Sequence, residues 1–296
     1  MTAPGAAKKP EKCTAQTHAA LCGALSCGTL MREPKLEPEM VKPMIERYSV
    51  PGPHTTGKAR RRIYVYVPDT EDPEARFPVL YMFDGHNVFF DEDATYGKSW
   101  GMLEYMESTG TRMMIVAADC NHRRNYGRLS EYSPFSFHDE HFGTIRGHGQ
   151  SYMNWLCGRL KPYIDRRYPT LPERETTFIA GSSMGGLMSL YALAACPDVF
   201  SRAAALSPSV WVSVRGLEKL IAAADFAPDA VCYMDYGSRE LDNHNAMLEG
   251  YLRVQNALMR RGVYVSSRIV PHGDHCEACW EEQIPFFMQT LLYDRE

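Results

Sequence analysis

The first chemical signal lies in six consecutive residues, Gly181-Ser182-Ser183-Met184-Gly185-Gly186. They spell G-x-S-x-G with Ser183 at the centre. An apolar run, Thr177–Ala180, leads into them, and Leu187, Leu190 and Leu193 follow at helical spacing. A strand that turns sharply into a helix strains the backbone at the serine and lifts its hydroxyl clear of the sheet. The helix expected from about Met184 to Ala195 directs its positive N-terminal end at negative charge developing beside that hydroxyl. The backbone N–H of Met184 is the natural first donor to an oxyanion. A glycine-rich packing turn is the plain alternative, and the strand-like and helix-like flanks weigh against it.

A serine hydroxyl is a poor nucleophile without a base. The last apolar run, Tyr264–Val270, leads into Pro271-His272-Gly273-Asp274-His275-Cys276, so His272 and His275 compete for that role. His275 sits further out, just before a helix-like stretch, Glu277–Leu292, and is favoured. A third group must orient the base. The preceding run, Val231–Tyr236, brings Asp235, Glu240 and Asp242 into consideration. Asp235 belongs to the strand itself. Glu240 and Asp242 lie beyond its end, where a carboxylate reaches the ring, and Glu240 is favoured over Asp242. The run Val79–Phe83 leads into Asp84-Gly85-His86-Asn87. Gly85 permits an unusual turn there, and the N–H of His86 is expected as the second oxyanion donor. An ordinary Asp-Gly turn fits the same four residues.

These groups need a frame that holds them on one side. Seven short apolar runs recur along the chain: Ile63–Val67, Val79–Phe83, Met113–Ala118, Thr177–Ala180, Ala203–Leu206, Val231–Tyr236 and Tyr264–Val270. Several lack alternation, as strands buried on both faces do. Amphipathic segments separate them. Gly149–Arg167 aligns Met153, Leu156, Leu160 and Ile164, and Asn243–Arg261 aligns Met247, Tyr251, Val254 and Leu258, with Gly262 placed to end the helix. Such alternation implies a mostly parallel sheet covered on both faces, with chemistry beyond the carboxyl ends of its strands.

The 296 residues are 45% apolar and 23% charged, enough to bury a sizeable core. A net charge of −4 argues against a nucleic-acid partner, and no apolar stretch is long enough to span a membrane. Nine cysteines at irregular spacing read as a reduced, cytoplasmic protein rather than a disulfide framework. Residues 1–44 read as an N-terminal tail without fixed structure, and 45–296 as one α/β domain. Within the tail, Ala19–Met31 is uncharged and follows Lys8, Lys9 and Lys12, yet it lacks a firm apolar core and an A-x-A-like site. It therefore reads poorly as an export signal.

With these residues assembled, the chain resembles the esterase family of α/β-hydrolases that includes siderophore esterases, feruloyl esterases, S-formylglutathione hydrolases and mycolyltransferases. The resemblance runs from about residue 60 to 292. It rests on VLYMFDGHNVF (79–89), GRLSEYSPF (127–135), FIAGSSMGGLMSLYAL (178–193), ALSPSVW (205–211), YGSREL (236–241) and HGDHCEACW (272–280). It implies an α/β-hydrolase fold with a mostly parallel sheet of about eight strands and helices on both faces. It implies Ser183 as nucleophile, Glu240 as acid, and His275, five residues before Trp280, as base. His86 stands where relatives often carry Gln, and 135–149 has no placed counterpart.

The expected activity is hydrolysis of a small-molecule carboxylic ester through an acyl-enzyme on a Ser-His-Glu triad, with acyl transfer or a non-catalytic binding role as alternatives. Asn87, Trp211 and Trp280 are expected to line the substrate pocket. No metal or organic cofactor is expected. Cys276-x-x-Cys279 beside His272 and His275 has zinc-like spacing, but no second ligand pair accompanies it. Arg128, Glu131 and Tyr132 read as supports for a loop at the mouth of the pocket. A homo-oligomer is compatible with everything above.

Overall fold

A computed structural model describes residues 45–53, 60–123, 126–240 and 244–293, the side chains of 244 and 245 excepted. The expected tail, 1–44, lies outside the described residues. Ten strands are present among the described residues: β1 Ile45–Pro51, β2 Arg60–Tyr66, β3 Val79–Met82, β4 Met114–Ala118, β5 Phe137–Asp139, β6 Gly143–Ile145, β7 Thr177–Ser182, β8 Arg202–Leu206, β9 Val231–Gly237 and β10 Tyr264–Val270. Eight of them form one sheet in the order β1-β2-β4-β3-β7-β8-β9-β10. The β1–β2 and β2–β4 pairs are antiparallel. Every pair from β4 across to β10 is parallel. All seven apolar runs became strands of this sheet. The eighth strand, β1, went unread because Ile45-Glu46-Arg47-Tyr48-Ser49-Val50-Pro51 is only half-buried along its length. An antiparallel edge strand carries a mixed pattern instead of an apolar run.

β3, β4, β7 and β9 are buried at every position. Successive side chains point to opposite faces, so each strand feeds two cores. On one face, Val79, Tyr81, Val116, Ile179, Ala203 and Met234 pack under α3 Gly149–Trp155, α4 Lys161–Arg167, α5 Met184–Ala195, α6 Val214–Ala223 and α7 His244–Arg260. On the other, Leu80, Met82, Ile115, Ala117, Ala204 and Tyr233 pack under α1 Met102–Thr109, α8 Glu277–Glu282 and α9 Ile284–Leu291. The ninth helix, α2 Gly127–Glu131, is a short turn after β4.

Two expected helices are each interrupted. Gly149–Arg167 runs as α3 and α4 joined by a wider turn, Leu156–Leu160. Glu277–Leu292 breaks into α8 and α9, because Pro285 has no N–H with which to continue the ladder of α8. The segment 135–149 folds as a hairpin: β5 pairs with β6.

The glycines of the wider turn and of α5 give opposite expectations. A Cβ on Gly158 would meet nothing within 4 Å. Gly158→Ala should stabilise the fold by about 0.4–1 kcal/mol, by restricting the unfolded chain. A Cβ on Gly186 would stand 2.8 Å from the backbone oxygen of Leu206, which cannot swing away. Gly186→Ala should cost about 1–3 kcal/mol. Urea denaturation of both variants reads the two shifts, and equal shifts would refute the packing argument.

Candidate active site

Parallel pairing sends the ends of β3, β4, β7, β8, β9 and β10 to one edge of the sheet, and the candidate residues follow those ends. β7 turns into α5 at Ser183, which holds φ 57° and ψ −118°. An L-residue with a side chain rarely adopts that conformation, at a cost of roughly 1–3 kcal/mol. Three things hold the turn. Ser183 N–H donates to Leu206 O at 2.9 Å, and its carbonyl accepts from Ser209 N–H at 3.0 Å and Leu187 N–H at 2.9 Å. The turn also needs bare backbone: a Cβ on Gly181 would lie 2.8 Å from the carbonyl carbon of Gly185. The Ser183 hydroxyl sits 3.3 Å from Ser209 Oγ. No hydrogen bond between Ser183 and His275 occurs among the described residues. In unliganded sites such bonds are often long.

His275 Nδ1 lies 3.0 Å from Glu240 Oε2. The Glu240 side chain is 1% exposed and that of His275 27%, so the carboxylate is enclosed while the ring reaches solvent. The other oxygen of Glu240, Oε1, accepts from Gly237 N–H at 2.7 Å and from the Ser207 hydroxyl. Trp280 Nε1–H donates to the same Ser207 Oγ at 3.0 Å, and the Trp280 ring stands edge-on to His275 at 5.1 Å. Asp235 faces elsewhere. It is buried and accepts from Ser207 N–H at 2.9 Å and Tyr233 OH at 3.1 Å, and burial pushes its carboxyl up to about 7. Asp242 lies outside the described residues. His272 contacts Arg239 and Ser238 and does not line the cavity described next.

The turn after β3 is equally constrained. Asp84 takes a left-handed conformation, and a Cβ on Gly85 would meet Ala117 O at 2.7 Å. Arg128 grips both oxygens of Asp84 at 2.7 Å, and Asp84 N–H donates to Tyr132 OH at 3.2 Å. Glu131 pairs with buried Arg61, and burial pushes the Glu131 carboxyl up to about 7. The expected supporting role of Arg128, Glu131 and Tyr132 is thus a set of ties between α2, β2 and the β3 turn. The N–H groups of His86 and Met184 have no acceptor among the described residues.

Ser183 and His275 open on a cavity of about 670 Å³, whose wall includes His86, Asn87, His122 and Trp280. Asn87 spans the wall: its Nδ2 donates to Glu277 Oε1 at 3.3 Å and its Oδ1 accepts from Thr95 N–H at 2.9 Å. Trp211 does not line this cavity. It packs against Phe137 and Phe142 of the β5–β6 hairpin. Residue-level reading missed Ser207, Ser209 and Glu277. Ser207 and Ser209 lie just past the end of β8, where a search of every strand end finds them.

The match to a family model described as "Putative esterase" covers residues 55–289. The protein YbbA of Bacillus subtilis is 24% identical over 212 residues, which is 68% of this chain and 79% of YbbA. The ferri-bacillibactin esterase BesA of the same organism is 27% identical over 164 residues, 50% of this chain and 53% of BesA. Among solved structures, the BES protein from Bacillus cereus superposes with a TM-score of 0.65 at 18% identity, over 84% of this chain and 95% of that one. No helix among the described residues is long and apolar enough to cross a membrane. Family match and fold agree: the chain belongs to the esterase family of α/β-hydrolases and is a carboxylic ester hydrolase.

Proposed function

We propose that the chain hydrolyses a small-molecule carboxylic ester by a double displacement on Ser183, His275 and Glu240. His275 takes the Ser183 proton through Nε2 as the hydroxyl attacks the ester carbonyl. The N–H groups of Met184 and His86 hold the charge that gathers on the carbonyl oxygen. Protonated His275 then hands its proton to the departing alcohol, leaving an acyl-enzyme. Water, deprotonated by the same His275, attacks that acyl group and frees the acid and Ser183. Glu240 keeps the proton of His275 on Nδ1 and stabilises the imidazolium. No step calls for a metal or an organic cofactor.

The observation that carries this reading is the continuous chain from the donors Gly237 and Ser207, through Glu240, to His275 at the wall that Ser183 also lines. BesA is named for a ferri-bacillibactin ester. A cavity of this volume suits small esters, and Asn87 and Trp280 on its wall are proposed substrate contacts. Trp211, set against the hairpin, is proposed to act only on substrates long enough to reach it. The N-terminal 44 residues are proposed to play no part in the reaction. A fluorophosphonate probe should label the protein at one site and fail to label Ser183→Ala. Undiminished labelling of the variant would sink the assignment, and absence of labelling in the parent protein would favour a binding role.

A further inference from the structure

β3 and β4 are parallel neighbours, so the turn after one lies beside the loop after the other. That juxtaposition gathers His86 from the first with Asp119, Cys120 and His122 from the second. Their ligand atoms all lie within 4.8 Å of one another. The sequence reading tested zinc only at Cys276 and Cys279, and this cluster escaped because its members are split between residues 86 and 119–122.

The details suit a cation. His86 Nδ1 and His122 Nε2 both approach Asp119 Oδ1, each at 2.6 Å. The His122 contact is a hydrogen bond. His86 Nδ1, on a residue only 7% exposed, makes that close approach without forming a hydrogen bond. The far nitrogen of the same ring, Nε2, sits 2.9 Å from Thr95 Oγ1. In the tautomer whose Nε2 proton is donated to Thr95, Nδ1 presents its lone pair to the cluster. That arrangement is how proteins orient a metal-binding imidazole. In that tautomer the Nδ1 lone pair and the Asp119 carboxylate can share one cation. Arg128 does not serve as that cation, because it is bound to Asp84. The two rings stand edge-to-face at 4.6 Å, both turned to the same carboxylate.

We propose that His86, Asp119 and His122 form a binding site for a divalent transition-metal ion of the zinc type, with Cys120 in reach as a fourth donor. Nitrogen, oxygen and sulfur together suit zinc, whose ligands stand at about 2.0–2.3 Å. Calcium and magnesium, which want oxygen donors, fit poorly. Cys120 Sγ lies 3.9 Å from His122 Nδ1, and like any thiol it ligates only by losing its proton to the metal. His86, Cys120 and His122 all line the cavity that Ser183 lines. The ion ties the turn carrying the His86 N–H to the end of β4, and the fourth position is taken by Cys120 or by water. The site does not depend on the triad reading, because its test reads metal binding and not turnover.

The experiment strips the full-length protein with a chelator, then titrates zinc by calorimetry and cobalt(II) by visible absorption. One zinc per chain is expected, with the intense cobalt bands of a four-coordinate site. His122→Ala should weaken binding at least tenfold. The His122 side chain is 55% exposed, so this variant folds. Asp119→Asn should do the same, and Thr95→Val should cost roughly 10–100-fold by freeing the His86 ring. The Cys276→Ser, Cys279→Ser double variant should bind as the parent does. No saturable binding in the parent would overturn the proposal. So would binding that ignores His122→Ala and Asp119→Asn, or binding that disappears with Cys276 and Cys279.

Discussion

Ser183→Ala is expected to reduce kcat by on the order of 10⁴–10⁶, since removing a nucleophile removes the whole unit that acts with it. The protein should remain folded. Ser183 is fixed by its own backbone, through Leu206, Ser209 and Leu187, and its hydroxyl makes one long contact, 3.3 Å to Ser209. Alanine keeps those backbone bonds and also keeps the strained φ of 57°. Glycine at the same position relieves that strain. Ser183→Gly should therefore be as inactive as Ser183→Ala and more stable than it, by about 1 kcal/mol once the freer unfolded chain is counted. Steady-state hydrolysis of an aryl ester and urea denaturation measure the two effects. Retention of more than a tenth of the parent rate in Ser183→Ala would remove Ser183 from the reaction. A glycine variant no more stable than the alanine one would show that the elbow is not strained in solution.

The frame was legible because burial on both faces leaves a plain mark. A strand in the middle of a parallel sheet has no wet side, so its sequence is an apolar run, and the runs at 79–83, 113–118, 177–180 and 231–236 coincide with β3, β4, β7 and β9 to within two residues. β1 had no such mark. Its half-buried Glu46 and exposed Arg47 suit an antiparallel edge with solvent beside it. The breaks inside the long helical segments were equally obscure. Apolar spacing survives a wider turn at Leu156–Leu160, and it survives Pro285 at the second position of a new helix.

Legibility of the site followed a different rule. Candidates at strand ends are reached by reading past each apolar run, as Ser183, Glu240 and His275 were, and the structure sets His275 beside Glu240 and on the cavity that Ser183 lines. A residue that acts through a neighbour from another strand cannot be reached that way. Ser207 is bound to Glu240, 33 positions away, and to Trp280, 73 positions away, and neither spacing carries a periodic signal. His86 was weighed for its backbone N–H alone, since nothing nearby in sequence suggested that its ring would meet Asp119 and His122. Trp211 shows the converse. Its place after β8 suggested a pocket wall, but the β5–β6 hairpin, unplaced from sequence, folds over to stack on it.

The proposed acid gives the second large effect. Glu240→Gln is expected to lower kcat by about 10⁴, the size seen when a buried triad carboxylate becomes an amide. The hydrogen bonds dictate why. Oε1 of Glu240 serves two donors, Gly237 N–H and the Ser207 hydroxyl, and the backbone donor cannot turn to accept. The glutamine must therefore leave its carbonyl oxygen at that position, which turns its NH₂ toward His275 Nδ1. An NH₂ donates, so Nδ1 must accept, and the ring proton moves to Nε2. His275 then has no lone pair with which to receive the Ser183 proton. The loss comes from the wrong tautomer and not from unfolding, so the melting temperature should change little. Glu240→Ala differs: it strands Gly237 N–H in a buried site, at roughly 1–3 kcal/mol of stability. Asp242→Asn, measured beside them, should keep nearly the full rate. If Asp242→Asn is the crippled variant and Glu240→Gln is not, the orienting carboxylate sits two residues later. If both remain active, His275 is oriented by neither, and the proposed triad fails at its acid while the Ser183 result stands apart from it.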